Sequence, residues 1–316
     1  MHISDRIYGR YSIDSPILLE LIHSPPLLRL KNISQMGPPD PYYHIPNYSR
    51  FEHSVGVMLL LKQLGASEAE QIAGLLHDVS HTAFSHVIDW VIGTGHIEDF
   101  QDNQHETFVK KTKIPTILKK YGYSVETIVN YKHFSLLERD VPSLCADRID
   151  YAFREFPIQS AQLCFSHLVA FQNRIAFDDE KIAYIFAHEF LSRQINHWGG
   201  YEAVTRYNLF SHMLQKALTL KIITMRDFQK TEKIIMKALE RSDDSEISAT
   251  LRLMKNNDLS HMPKNASFTH KKFRYVDPDV VINHRLVLLS TINTDFKDEI
   301  EHARKENEKG VQGGKI

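Results

Sequence analysis

From Arg50 onward the chain places apolar residues at helical spacing, with clear punctuation between segments, and this pattern limits the fold more than any other feature. Phe51, Val55, Met58 and Leu59 share a broad apolar face that Gly65 ends. Ser67 and Glu70 form a capping box for a second helix, EAEQIAGLLHDV, and a third, HTAFSHVIDWVI, stops at Gly93. Further helices are predicted over 105–112, 114–121, 124–130, 135–138, 143–155, 180–198, 202–221 and 226–240. Seven prolines break the stretch before residue 50 into short helices at 15–22 and 27–35 and a loop at 37–49. Strand signals are few: a hairpin over 168–175 turning into Asp178, and one or two strands from 270–275 and VVINHRLVLLS. Residues 241–269 read as a polar linker. The expected fold is mostly α, with a helical domain over 1–225, a small mixed α/β C-terminal lobe over 226–300 and a disordered polar tail over 301–316.

Charge excludes one class of function. Lys and Arg number 38 against 39 Asp and Glu, which rules out a strongly basic nucleic-acid coat but leaves room for a local basic pocket. Two cysteines, Cys145 and Cys164, exclude a disulfide framework and fit a reducing compartment. No apolar run reaches bilayer length and the N-terminus has no signal-peptide pattern, so a cytoplasmic location, or a nuclear one, is expected. The unusual number is 18 histidines, five of them between His77 and His105.

Imidazole is the commonest transition-metal ligand. The most informative positions are His53 in RFEHSVGV, His77–Asp78 in AGLLHDVSH and Asp147 in CADRIDY. A helical hairpin joined by GAS brings His53 and His77 together near its open end, and Asp147 must arrive from a distant helix. Imidazole with carboxylate suits Fe, Mn, Co, Ni or Zn. A single His-Asp dipeptide is weak; the ordered series RFxHS, LLHDxxH, FSH, HE and DRxDY is not.

That series resembles the HD-domain phosphohydrolases, most closely the branch of deoxynucleotide triphosphohydrolases that includes the animal enzyme carrying a SAM domain. The matching segments are DRIYGRY, SPPLLRLKNISQMG, SRFEHSVGVM, AGLLHDVSHTAFSH, HETF and ADRIDYAFRE, covering roughly the first half of the chain; KKFRYVDPDV is reminiscent of the same branch, and no SAM domain is seen. The resemblance implies a helical HD-domain core and four metal ligands: His53, His77, Asp78 and Asp147. It implies proton transfer or phosphate contact by His81 and His105, with Asp89 orienting one of them, while His86 is read as a structural hydrogen-bonding residue. It implies substrate contacts from Gln35, Arg50, Arg148 and Tyr151. Arg193, His197 and Tyr201, spaced i, i+4, i+8, match a phosphate-facing row in the similar enzymes, with Gly199–Gly200 as a break before Tyr201.

The expected activity is metal-dependent hydrolysis of a nucleoside triphosphate to nucleoside and triphosphate, with Mg accompanying the substrate phosphates. A nucleotide phosphatase or phosphodiesterase is the alternative within the fold. A regulator binding nucleotide or nucleic acid without turnover is the alternative outside it, carried by the basic stretch Lys255, Lys264, Lys271, Lys272 and Arg274. The expected partner is a nucleotide or another phosphorylated small molecule; membrane is excluded, nucleic acid is less favoured, and a homo-oligomer stays open. Three departures from the family pattern weaken strict deoxy selection: Met36 for Leu, Ser80 for Gly and Glu155 for Asp.

Overall fold

The helix Arg50–Gln63 runs through the centre of the molecule, buried from Val55 to Leu61. A complete capping box starts it, with the Ser49 side chain accepting from the Glu52 N–H and the Glu52 carboxylate accepting from the Ser49 N–H. The helix Glu68–Leu76 folds back along it, and Ala146–Glu155 packs on its other side. Two glycines set these approaches. A Cβ at Gly56 would overlap the Asp150 carboxylate and the Arg154 guanidinium, and one at Gly74 would overlap Leu61. The computed structural model describes residues 1–314 and contains 16 α-helices and six short strands among them. No helix is long and apolar enough to cross a membrane.

Strands β1 (His2–Asp5) and β2 (Gly9–Ser12) form an N-terminal hairpin that the sequence reading did not predict. The second sheet has the order β3 (Leu168–Phe171), β4 (Arg174–Phe177), β5 (Asp279–Ile282), β6 (Arg285–Leu288). Its two hairpins turn through Gln172–Asn173 and Asn283–His284, all four residues at positive φ, as two-residue hairpin turns require. The central β4–β5 pair is parallel and joins the two halves of the chain.

Several expectations need correction. The third helix is reduced to Val87–Val91, because Phe84 (φ 67°) and Ser85 (φ 49°) reverse the backbone just before it. No helix forms over 135–138; the Leu136 and Leu137 N–H groups donate instead to the Glu70 carboxylate at 2.8 and 3.1 Å, which draws that carboxylate away from its expected capping role. Residues 270–275 form no strand. The linker at 241–269 contains the helix Ser245–Met254, with Asp244 capping its start and Ile247, Leu251 and Met254 buried. The tail is helical to Glu308, anchored by buried Phe296, Ile300 and Ala303, and Val311 bridges to Thr269. The core is not divided at residue 225. Val276, Val280, Leu289, Phe296 and Ile300 join the main core, whereas Phe228 to Leu259 pack with Phe84, Val87 and Phe210.

Candidate metal centre and adjoining cavity

Three helix ends converge on one point. His53 lies in the first turn of Arg50–Gln63, His77 is the residue at which Glu68–Leu76 ends, and Asp147 lies in the first turn of Ala146–Glu155. The His53 and His77 Nε2 atoms are 3.2 Å apart, and Asp147 Oδ1 is 2.9 Å from the first and 3.4 Å from the second. His77 Nδ1 donates to the Gly74 carbonyl at 2.7 Å and His53 Nδ1 faces Asp150 Oδ2 at 2.8 Å. Both Nε2 lone pairs therefore face each other and a carboxylate, an arrangement that a cation relieves. One ligand atom from each of the three residues lies within 4.8 Å of the others, so the set fits a metal ion. Without an ion a proton takes its place: burial favours neutral His77, but Asp78 and Asp147 outweigh it and raise His77 to about 9.

Asp78 is close but already engaged. Its Oδ1 is 3.5 Å from His77 Nε2 and 3.2 Å from His81 Nε2. Its Oδ2 is 3.6 Å from His53 Nε2 and accepts from Arg50 Nη1 at 2.6 Å. Burial alone would raise its pKa, yet Arg50, His77 and His81 hold it well below the usual carboxylate range.

Behind His53 the support is continuous. Asp150, fully buried, accepts from Tyr8 Oη at 2.7 Å and from Arg154 Nε at 2.8 Å, and Arg154 Nη2 reaches Asp5 at 3.0 Å. The N-terminal hairpin thus closes the back of the metal centre. Arg50 is held on the front by Ser85 Oγ at 2.9 Å as well as by Asp78.

A cavity of about 830 Å³ opens in front of His77, Asp78, His81 and Asp147 and reaches Arg148, Arg139 and Lys272. A smaller one of about 130 Å³ adjoins it, walled by Met36, Tyr43, Tyr48, Trp198 and Tyr207. Gln35, Arg50, His86, Glu98, Tyr151 and Arg274 line both, so the two spaces adjoin across these side chains. The Glu155 carboxylate closes the far wall, accepting from Trp198 Nε1 at 2.9 Å and pairing with His197 Nδ1 at 2.7 Å, while His197 Nε2 meets Tyr43 Oη at 3.1 Å.

The HD domain family matches residues 50–154, the span that runs from Arg50 through the metal centre to Arg154. The chain is 34% identical to the uncharacterized protein YdhJ of Bacillus subtilis over 98% of both chains. This chain belongs to the HD-domain metal-dependent phosphohydrolases. The phosphohydrolase is also 33% identical to the metal-dependent phosphohydrolase cns2 of Cordyceps militaris, over 65% of this chain and 63% of that protein. It is 31% identical to the mouse deoxynucleoside triphosphate triphosphohydrolase SAMHD1, over 40% of this chain but only 23% of the mouse enzyme.

Within the HD phosphohydrolase the residues singled out from sequence are placed unevenly. Gln35, Arg50, His81, Arg148, Tyr151 and His197 all line one or both cavities. The helix does not continue from His77 to His81 as expected; a turn carries His81 to Asp78, and burial together with Arg50 keeps its imidazole neutral. Arg148 reaches the cavity while donating to the Ser143 and Arg139 carbonyls at 2.6 and 3.1 Å. His105 lines neither of these two cavities: it lies behind Ser80, whose Oγ is 3.1 Å from its Nδ1, and against Tyr131, and burial lowers its pKa to about 4. The expected Arg193–His197–Tyr201 row does not form. A π-helical turn, Gln194–Trp198, changes the register; Arg193 turns to Glu189 at 3.9 Å, and Tyr201 donates to the Leu259 carbonyl at 3.1 Å.

The reading of His86 as a structural residue also needs revision. His86 lines both cavities, its ring 5.1 Å from that of His81. Its Nδ1 lies 3.6 Å from Asp89 Oδ2, too long for a hydrogen bond, and both atoms lack a partner among the described residues. The other Asp89 oxygen accepts from the Phe100 N–H at 3.0 Å, which fixes its carboxylate behind the ring. The His86–Asp89 spacing in FSHVID was the available signal. Sequence reasoning also missed Glu98, the buried carboxylate between the two cavities, for which no sequence signal exists.

Proposed function

We propose that this HD phosphohydrolase cleaves a nucleoside triphosphate, preferring the deoxy form, to nucleoside and triphosphate. The observation that supports this reading is that the cavity in front of the metal-ligand cluster adjoins an aromatic-walled one, with Gln35, Arg50 and Tyr151 lining both. Tyrosine and tryptophan faces suit a base, and Gln35 Oε1, buried without a partner among the described residues, is an acceptor for a sugar hydroxyl. Met36 is a softer wall than leucine against a 2′-hydroxyl.

His53, His77 and Asp147 would hold the metal, with Asp78 alongside. When bound, a divalent transition metal supplies Lewis acidity for phosphoryl chemistry. Arg50 and Arg148 bind phosphate oxygens from fixed positions, so their charge needs no reorganisation as the reaction proceeds. His81 and His86 face the same space, and His86, backed by Asp89, is placed to hold the proton that the leaving oxygen takes. The Glu155–His197–Trp198 wall excludes water from the far end of the smaller cavity.

A nucleotide phosphatase is the second reading, favoured by one observation: Arg193, expected in a phosphate-facing row, lies by Glu189 and lines neither cavity. The test is incubation of metal-loaded protein with a panel of nucleotides and identification of the products by mass. Free triphosphate supports the first reading, orthophosphate supports the second, and no turnover with any nucleotide overturns both.

A further inference from the structure

Beyond Arg50 and Arg148, the cavities carry another arginine, Arg274. Residues 263–278 form no helix or strand of regular length, and this strap contributes Lys271, Lys272 and Arg274 to the cavity linings. The strap is fixed at several points: Thr269 bridges to Val311, Asn307 Nδ2 donates to the Lys271 carbonyl at 3.0 Å, and the Asp277 N–H donates to the Pro142 carbonyl at 3.0 Å. It delivers Lys271 and Arg274 inward, and both converge on the single carboxylate of Glu98. The Lys271 ammonium is 3.0 Å from Glu98 and lies over the Trp90 and Tyr207 rings at 4.7 and 5.0 Å. Two cations therefore share one anion, which leaves a surplus positive charge at the cavity wall. Lys271 is the buried partner, with a side chain 8% exposed; Arg274, at 25%, has donors left for the cavity space. Glu98 itself sits at φ 56°, a conformation costly for a residue with a side chain, so the strap's cations and the surrounding fold hold it there.

We propose that Arg274 is a substrate-binding residue that contacts a phosphate group remote from the metal centre, and that Glu98 aims it there. This rests on the phosphohydrolase reading and deepens it: the substrate class becomes one with at least two phosphates, one at the metal and one at the strap. Lys271 neutralises Glu98, so Arg274 keeps its charge for the ligand. Its planar guanidinium offers a phosphate two parallel hydrogen bonds, which a lysine cannot match.

The test is calorimetric binding of inorganic tripolyphosphate and of orthophosphate to the full chain, wild type and Arg274→Gln, with metal content and melting temperature measured on each. Arg274→Gln should weaken tripolyphosphate binding by about tenfold or more, leave orthophosphate binding within about twofold and keep the metal. Arg274→Lys should fall between, and it provides the reading if Arg274→Gln does not fold. Equal tripolyphosphate affinity in wild type and either folded variant overturns the proposal and leaves Arg274 as a brace for the strap. The two ideas fail separately. Unchanged binding in a wild type that turns over nucleotides sinks only the Arg274 assignment, whereas Arg274-dependent binding without turnover sinks only the proposed reaction.

Discussion

The metal centre and the cavity beside it are built on opposite principles. At the centre, both imidazoles are held from behind: His77 by the Gly74 carbonyl, His53 by Asp150, and Asp150 in turn by Tyr8 and Arg154. In the cavity walls Gln35 Oε1 and His86 Nδ1, and behind them Asp89 Oδ2, are buried with no hydrogen-bond partner among the described residues. A buried polar atom without a partner is costly, typically by about 1–3 kcal/mol. The difference teaches where each task is performed. The two imidazoles of the metal cluster are preset by the fold, whereas Gln35 and His86 meet the cavity with a hydrogen-bonding atom still unpartnered among the described residues.

The most damaging way to break this contrast is to remove a metal ligand. His77→Ala or Asp147→Ala should lose both bound metal and activity, as elemental analysis and product assays will show; full activity in a metal-free variant would dismiss the centre. One step back, Asp150→Asn should lower metal affinity by about 10–100-fold, because it loosens the hold on His53. It should also lower the denaturation midpoint, since the buried Arg154 is left with Asp5 as its one remaining charge partner among the described residues. His86→Ala tests the cavity side: kcat should drop by about 10²–10⁴-fold with metal retained, and His105→Ala should cost far less. The reverse ranking would restore His105 to the chemistry and return His86 to a structural role. Gln35→Ala removes one recognition group and should raise KM by about fivefold with kcat nearly constant, the equivalent of one hydrogen bond of about 1 kcal/mol.

The smallest effect is on pH. In metal-free protein the raised His77 pKa gives stability that is full below pH 6.5 and is lost as the pH rises towards about 9. The depressed His105 pKa acts in the other direction: its contribution is full above pH 6.5 and is lost as the pH falls towards about 4. Urea midpoints of chelated protein should therefore peak near pH 6.5. Metal-loaded protein should hold its stability at alkaline pH, since metal binding needs deprotonated imidazoles. Identical profiles with and without metal would detach His77 from the ion.

What the sequence disclosed follows the same divide. His53, His77, Asp78 and Asp147 were expected from the ordered series RFxHS, LLHDxxH and DRxDY and the resemblance it carries, and the structure gathers the first two and Asp147 at three helix ends, with Asp78 alongside. The turn at Phe84–Ser85 was not legible, because two non-glycine residues at positive φ run against local preference and are held there by tertiary contacts, among them Arg50 to Ser85 and Glu232 to the Phe84 N–H. That turn is what brings His86 to the cavity. The Arg193 row failed for a related reason, since one π-helical turn shifts every later side chain around the axis. Glu155 was read as a weakened sugar contact; its longer side chain instead spans His197 and Trp198 together.

The protein has only two tryptophans, and both belong to this recognition region. Trp198 lines the smaller cavity with its indole N–H held by Glu155, and Trp90 lies beneath the Lys271 ammonium of the strap. Nothing elsewhere in the chain contributes indole emission. Fluorescence excited at the red edge of indole absorption, where the 13 tyrosines do not absorb, is therefore an optical channel onto the two cavities and the strap beside them.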